Sequence, residues 1–291
     1  MTFKTFILTG LAMTAFALNS ILCRFALRDG LIDPGSFTMI RLASGALFLG
    51  LVLGRKALKR PIPGNGSASL AMPLMLTLYA LFFSLAYVRL DAGTGALILC
   101  GAVQVSMILG GILAGNRPTR TQAAGILLAM AGLAWLFLPG LSAPSFTGAL
   151  AMTGAGTAWG IYSLLGKYAS DPAEATGFNF IAGLGPALLL WMVIPGSDPL
   201  FLTWSGAGIA VLSGAFTSGG GYVIWYRALK GLGQTQAGVV QLTVPVLAAA
   251  GGILFLSEVL TPRLVLAGAA VLMGVGLSFI KNQKRVESYG H

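Results

Sequence analysis

The residues of this chain equipped for chemistry are polar side chains set inside long apolar runs, and almost all of them are neutral. Asn19, Ser20, Ser84, Gln104, Tyr162, Ser163, Asn179, Thr217, Ser218, Gln241 and Thr243 each interrupt such a run. Amides and hydroxyls exchange hydrogen bonds without carrying charge. Within a bilayer they are costly and turn inward, to a partner or a wet cavity. Aromatic residues accompany them. Tyr79, Phe83 and Tyr87 recur every four residues and share one helix face; Tyr222 and Tyr226 do the same, with Trp225 beside them. Trp159 and Tyr162 lie three apart. Rings, amides and hydroxyls without a buried charge pair suit reversible binding of an amphipathic, mostly apolar solute. An ammonium can lie over a ring face, and a carboxylate can take hydrogen bonds from amides, hydroxyls or exposed backbone. Tyr87 and Tyr226, near the ends of their runs, read as interfacial belt residues. For Tyr79, Phe83, Trp159, Tyr162 and Tyr222 the spacing serves cavity lining and helix packing equally well.

Catalysis finds little to work with. The one histidine is the last residue, His291, and no closely spaced carboxylates lie at depth, so no catalytic residue, metal or cofactor is expected. Cys23 and Cys100 fall in apolar segments and read as small packing residues. The net charge of +10 is spread over basic residues between apolar runs, a pattern that sets orientation and argues against nucleic acid as a partner.

The elements that must position these residues follow from composition. Only 9% of the chain is charged and 56% is hydrophobic, against about 25% charged for an ordinary soluble domain. The expected fold class is therefore an all-α polytopic membrane protein. A helix crossing a ~30 Å hydrocarbon core needs about 20 apolar residues. Ten transmembrane helices fit, at about 5–25, 35–54, 69–88, 94–115, 121–139, 147–167, 175–195, 203–228, 235–256 and 262–281. The first has no small-residue cleavage site and is expected to be retained. With the N-terminus inside, Lys4, Arg55, Lys56, Lys59, Arg60, Arg117, Arg120, Lys167, Arg227, Lys230, Lys281, Lys284 and Arg285 share the cytoplasmic side. Arg24, Arg28, Arg41, Arg89 and Arg263 remain on the other, so both termini are expected to be cytoplasmic.

The chain also repeats itself. Ala15 to Ala26, AFALNSILCRFA, is echoed by Ala158 to Ala169, AWGIYSLLGKYA. Tyr79, Phe83 and Tyr87 align with Ser218, Tyr222 and Tyr226, and Gly110-Gly111-Ile112-Leu113 recurs as Gly251-Gly252-Ile253-Leu254. The halves are 1–140 and 141–291, the second ending in a short basic tail. Five spans per half make the second enter upside down, an inverted repeat of the kind that builds secondary transporters around a midplane site. Asn19 aligns with Tyr162, which puts both at similar depth.

Pro186 and Pro245 are expected kinks that free helical carbonyls, and Gly220, within Gly219-Gly220-Gly221, a flexing or close-approach point. Small pairs at Gly111/Gly115, Gly125/Ala129 and Ala270/Gly274 serve packing within one subunit or, on the alternative reading, a homodimer face. Glu258, five residues before Arg263, is expected in a structural ion pair or cap. Arg41 is expected to snorkel to the outer surface or to cap carbonyls.

Ten spans in two halves, the motif Ala158-Trp159-Gly160, and Pro245 ahead of Ser257-Glu258 together resemble the drug/metabolite transporter superfamily, over essentially the whole chain. The chain is most similar to its ten-helix, EamA-type exporters, and among these to the bacterial aromatic-amino-acid exporters. One departure is Asn116-Arg117, where the family often closes the fourth span with an acid. The resemblance implies a multi-pass transporter of the bacterial inner membrane, exporting amino acids or similar metabolites by alternating access. Threonine-like solutes, nucleosides and drugs are alternative substrates; a channel or an intramembrane enzyme is the alternative class. The substrate site expected from the residues comprises Asn19, Ser20, Tyr79, Phe83, Gln104, Trp159, Tyr162, Ser163, Asn179, Ser218, Tyr222 and Gln241.

Overall fold

A computed structural model describes residues 2–59, 66–115, 119–138, 143–193 and 201–278. The turn signals at Asn116-Arg117, Pro139-Gly140 and Pro195-Gly196, the boundary between halves at 140, the basic tail and His291 lie outside the described residues. Among those described there is no strand, only an isolated bridge between Ile32 and Leu202. The helices are α1 (Phe3–Arg28), α2 (Pro34–Leu53), α3 (Gly66–Tyr87), α4 (Ala92–Leu113), α5 (Arg120–Phe137), α6 (Phe146–Gly166), α7 (Pro172–Ala182), α8 (Leu184–Val193), α9 (Trp204–Leu212), α10 (Gly221–Leu229), α11 (Gln234–Gln241), α12 (Thr243–Leu256) and α13 (Pro262–Ser278). Local sequence sets their starts. Asp33 and Asp171 each cap a helix that opens on proline, accepting from the Ser36 amide and from the Ala173 and Glu174 amides. Thr119 and Gln122 form a reciprocal capping box for α5.

Among the described residues seven helical stretches are long and apolar enough to cross a membrane, and Pro262–Leu277 is a shorter apolar helix. Helices α5 and α6 occupy the places of the fifth and sixth spans without joining those seven. Helix α5 opens on Arg120-Thr121-Gln122, and α6 is diluted by glycine and threonine. Exposed leucines, such as Leu47, Leu51, Leu127 and Leu189, cover the outward faces, as hydrocarbon contact requires.

Three of the apolar stretches are interrupted, two of them by proline chemistry. Pro186 cannot donate to the Ala182 carbonyl, and α7 ends at Ala182, with α8 resuming after Gly183. The Thr77 hydroxyl donates to the Gly183 carbonyl at 3.0 Å, satisfying one group at the break. Pro245 likewise cannot donate to the Gln241 carbonyl, and α11 breaks from α12 at Leu242. Between α9 and α10, Ser213–Gly220 forms a π-helix, a wide turn that tends to mark functional sites. The expected irregularity at Gly220 is therefore a π-helix whose last residue is Gly220.

The helices of the two halves are interleaved. Helix α6 packs on α3 and α4, while α1 packs on α12, α10 and the π-helix; α2 packs on α7 and α5 on α13. Small residues permit the closest approaches. A side chain on Gly274 would strike Gly125 and Ala129, and one on Gly132 would strike Ala270, so these small residues serve contact within the chain. The recurring glycines work in parallel: Gly251 leaves room for Ile21, and Gly110 for Leu164, its counterpart in the repeat. Gly111 has open space around it.

One end of the bundle is tied by charges that cross between helices. Arg24 of α1 donates to the Tyr87 and Val88 carbonyls at the end of α3, at 3.0 and 3.1 Å. It also meets Asp91 at 3.2 Å and Glu258 at 3.3 Å. The Ala92 amide, at the start of α4, donates to both Glu258 oxygens, at 3.0 and 2.9 Å. Arg28 donates to the Leu256 carbonyl at 2.7 Å. Ser257 makes this geometry possible: its φ of 53° ends α12 in a left-handed turn and folds Glu258 back toward α4. A side chain on Gly252 would collide with the Glu258 carboxylate. The expected ion pair is thus present with a different partner. Arg263 instead donates to the Leu138 carbonyl, because the turn at Ser257 carries Glu258 toward α1 and α4. Tyr87 is also corrected: it is fully buried, donating to the Ala92 carbonyl at 3.2 Å, not part of an interfacial belt.

Two measurements test this clasp on detergent-solubilised protein. In a double-mutant cycle by thermal unfolding, Arg24→Ala and Glu258→Ala should couple by about 1–3 kcal/mol, as a buried pair does. The exposed pair Lys59→Ala and Glu174→Ala should couple by less than about 1 kcal/mol; equal couplings would refute the distinction. Burial pushes the Glu258 carboxyl above the usual glutamate range, against the pull of the Ala92 amide and Arg24. A folded state with a raised carboxyl pKa binds its proton more tightly than the unfolded chain. The Glu258 contribution should therefore become more favourable as pH falls through that raised value and less favourable as pH rises. Comparing thermal midpoints across pH, Glu258→Gln should flatten this dependence.

Candidate substrate site

A cavity of about 320 Å³ lies where helices from both halves converge. Its walls come from α1 (Phe16, Asn19, Ser20), α3 (Tyr79, Phe83), α4 (Ala96 to Met107), α6 (Trp159), the π-helix (Thr217, Ser218), α10 (Tyr222), α11 and α12 (Ala237 to Pro245), and Val275 of α13. Buried Ser20 and Ala96 mark its deep end, each four residues, or about 6 Å of helix, from Arg24 and Ala92 of the clasp. Exposed Met107 and Gln241 mark the rim. The cavity is shut at the clasp end and reaches solvent or lipid at the other.

Its aromatic wall is continuous across the halves. Tyr87 meets Phe83 at 4.7 Å between ring centroids, Phe83 meets Tyr79 at 5.4 Å, and Tyr79 meets Trp159 at 4.9 Å. Trp159 stacks on Tyr222 at 5.5 Å with planes 16° apart, and Tyr222 meets Phe16 at 5.5 Å. The four-residue spacing on α3 puts three rings in one column. Ala158-Trp159-Gly160 then carries the row across: Gly160 leaves no side chain to strike Ser106, letting α6 close on α4 beside Trp159.

The polar part centres on Asn19. Its side-chain oxygen accepts from Ser213 at 2.7 Å and Thr217 at 3.2 Å, with Ser218 at 3.5 Å. The amide oxygen is thus occupied, and the amide hydrogens are what Asn19 has left to offer a ligand. Gln241 donates to the Ala237 carbonyl at 3.2 Å, and its own carbonyl, released by Pro245, adds an acceptor at the rim.

Of the expected residues, Asn19, Ser20, Tyr79, Phe83, Gln104, Trp159, Ser218, Tyr222, Gln241 and the kink Pro245 line the cavity. Tyr162, Ser163 and Asn179 do not. Asn179 donates to the Tyr162 hydroxyl at 3.1 Å, which lies 3.4 Å from Thr176, itself 2.7 Å from Tyr226. These four form a separate polar cluster behind Trp159. Ser163 spends its hydroxyl on the Trp159 carbonyl. Alignment with Asn19 equalised the depth of Tyr162 but not its facing, since the cavity is not shared evenly between the repeats.

The largest departure is Arg41. It is 2% exposed, neither snorkelling nor capping a helix end. Its ε-nitrogen donates to the Ser218 hydroxyl at 3.1 Å and one terminal nitrogen to the Tyr79 hydroxyl at 3.3 Å. The guanidinium lies over the Phe83 and Tyr79 rings, 5.0 and 5.4 Å from their centroids. Gly214 makes room: a side chain there would strike the Arg41 carbonyl and Ser44. The expectation that Arg41 snorkels or caps carbonyls is therefore overturned: the cation is buried behind the site, and it enters no ion pair among the described residues. The available signal was position, because Arg41 falls two turns inside an apolar helix, too far from its end to escape.

Comparison with known proteins places this geometry. The model of the EamA-like transporter family matches twice, at residues 4–138 and 146–280. An uncharacterized protein of Pseudomonas aeruginosa is 50% identical over 94% of each chain. The threonine/homoserine exporter RhtA of Escherichia coli is 34% identical over 55% of this chain and 56% of its own. A protein of Streptantibioticus cattleyicolor named "Probable terminal-alkyne amino-acid exporter" is 27% identical over 87% of this chain and 86% of its own. With the family model covering nearly the whole chain in two copies, the protein belongs to the EamA-like transporter family.

Proposed function

We propose that the protein exports amino acids or closely related small metabolites across the bacterial inner membrane by alternating access. The observation that carries this reading is the cavity between the halves, walled by rings and neutral polar groups and closed at one end by the clasp. Its volume is near the bottom of the ~300–1,000 Å³ range of small-molecule sites, a match for one amino acid and too small for a nucleotide sugar. The row of rings from Phe83 to Phe16 favours a large apolar or aromatic side chain. The names of the relatives favour amino acids generally, with threonine-like solutes as the second reading.

On this proposal the two family-model copies are inverted five-helix halves, with both termini cytoplasmic. The basic residues then put the Arg24–Glu258 clasp outside, and the open rim at Met107 and Gln241 faces the cytoplasm, where an exported substrate is loaded. Release requires the clasp to part and the rim to close, with the breaks at Leu242 and Gly183 and the π-helix as places where helix halves can swing. No carboxylate lines the cavity, so exchange or facilitated flow down a gradient is the proposed mode.

In proteoliposomes preloaded with unlabelled phenylalanine, labelled phenylalanine should accumulate transiently and saturably, and a threonine preload should drive it less. Trp159→Ala should raise the half-saturating concentration about tenfold, the worth of one stacked ring, whereas Trp204→Ala, at an exposed position, should not. Conductance without counterflow would identify a channel. A ΔpH dependence of transport abolished by Glu258→Gln would overturn the uncoupled mode.

A further inference from the structure

Arg41 carries a full charge into the bundle and finds no counter-charge there. Among the described residues it enters no ion pair, and the side chains it meets are the hydroxyls of Ser218 and Tyr79 and the rings of Tyr79 and Phe83. Two of its nitrogens are bonded and the third, Nη1, has no hydrogen-bond partner. Ring faces and hydroxyls offset part of the cost of burying a cation, but a buried charge without a counter-charge remains strongly disfavoured. That cost is removed only when an anion approaches.

The cavity is where an anion can approach. Arg41 sits one layer behind its wall, and Ser218, Tyr79 and Phe83, its partners, are the wall. Each hydroxyl accepts from the guanidinium and keeps its own proton to donate, polarised by the charge behind it. Ser218 has a further acceptor only at 3.5 Å, in an Asn19 oxygen already taken by Ser213 and Thr217. The cavity lining contains no aspartate or glutamate. An anion is therefore recognised by a cation and two hydroxyls, while an ammonium has only ring faces.

We infer that the site, read as the amino-acid site proposed above, selects its substrates by a carboxylate held at Tyr79 and Ser218 against Arg41, and that the α-amino group is dispensable. Apolar monocarboxylates without an amine are then ligands and competitors, whereas the matching amines and esters are not. Arg41 acts through the two hydroxyls and sets this selectivity.

The experiment is equilibrium binding to the purified full-length protein, with 3-phenylpropionate, phenethylamine and phenylalanine methyl ester as probes, followed by the same three as inhibitors of phenylalanine counterflow. 3-Phenylpropionate should bind at least as tightly as phenylalanine, and the other two at least tenfold more weakly. Arg41→Gln should erase the preference for the carboxylate over the amine, and Arg41→Lys should retain part of it. Because Arg41→Gln also removes contacts between helices, Tyr79→Phe is the second variant: it keeps the ring, removes only the hydroxyl, and should weaken 3-phenylpropionate several-fold while leaving phenethylamine unchanged. Equal competition by phenethylamine, or an unaltered preference in both Arg41→Gln and Tyr79→Phe, would overturn the inference. Arg41-dependent binding of 3-phenylpropionate without counterflow of phenylalanine or threonine would leave the carboxylate site standing and reject the amino-acid reading instead.

Discussion

Hydrocarbon offers no hydrogen bonds, so every helix end and polar side chain of this protein left without a partner inside the protein is costly. The Arg24–Glu258 clasp is the clearest consequence. Arg24 satisfies the last carbonyls of α3, and Glu258 takes the first amide of α4, where an anion is favoured by the helix dipole. Arg28 covers a carbonyl at the end of α12. Each of these helix ends is completed by a residue from elsewhere in the chain, from α1 or from the turn after α12, and the two halves are joined through that exchange. The interleaved packing says the same at the level of surfaces: α6 lies against helices of the first half and α1 against helices of the second.

The cavity results from the same rule applied where packing is incomplete. Small residues bring α5 against α13 and α2 against the π-helix closely enough to leave no space. Around Asn19 the helices stand apart, and polar groups there are satisfied by one another on one side only. Asn19 gathers three hydroxyls on its oxygen, Gln241 turns back on its own helix, and Pro245 leaves a carbonyl without its helical donor. What remains unspent faces the cavity.

Much of this was legible in the sequence, for definite reasons. Apolar runs, the cap-proline pairs at Asp33-Pro34 and Asp171-Pro172, and the prolines at 186 and 245 act locally, so pattern alone located helices and breaks. The lining residues Asn19, Ser20, Tyr79, Phe83, Gln104, Trp159, Ser218, Tyr222 and Gln241 were found because polar or aromatic side chains in lipid have few other uses. Facing was harder. Tyr162 and Asn179 satisfy the same criteria but meet each other, the Asn179 amide donating to the Tyr162 hydroxyl, a choice settled by which way α6 and α7 turn and by nothing in their own spacing. Partners distant in sequence were harder still: Arg263 lies nearer Glu258 along the chain, but the left-handed turn at Ser257 sends the carboxylate to Arg24. Helix α6 is not among the seven long apolar stretches of the described residues because its glycines and threonines lower its hydropathy.

The repeat itself explains why the site is lopsided. Gly110 and Gly251 do the same work for Leu164 and Ile21, so the duplicated frame is preserved where helices cross. Gly252 then accommodates Glu258, whereas Gly111 faces open space. The same divergence separates Arg24 from its counterpart Lys167, which is exposed and lies over the Tyr168 ring. Arg41 belongs to this asymmetry as well, since one half supplies the cation and the other, through Ser218, one of the hydroxyls that relays it. Two equivalent halves would make a site that treats its two openings alike. The charge-bearing groups are loaded unevenly, with an ion pair across the closed end and an unpaired cation behind the cavity wall.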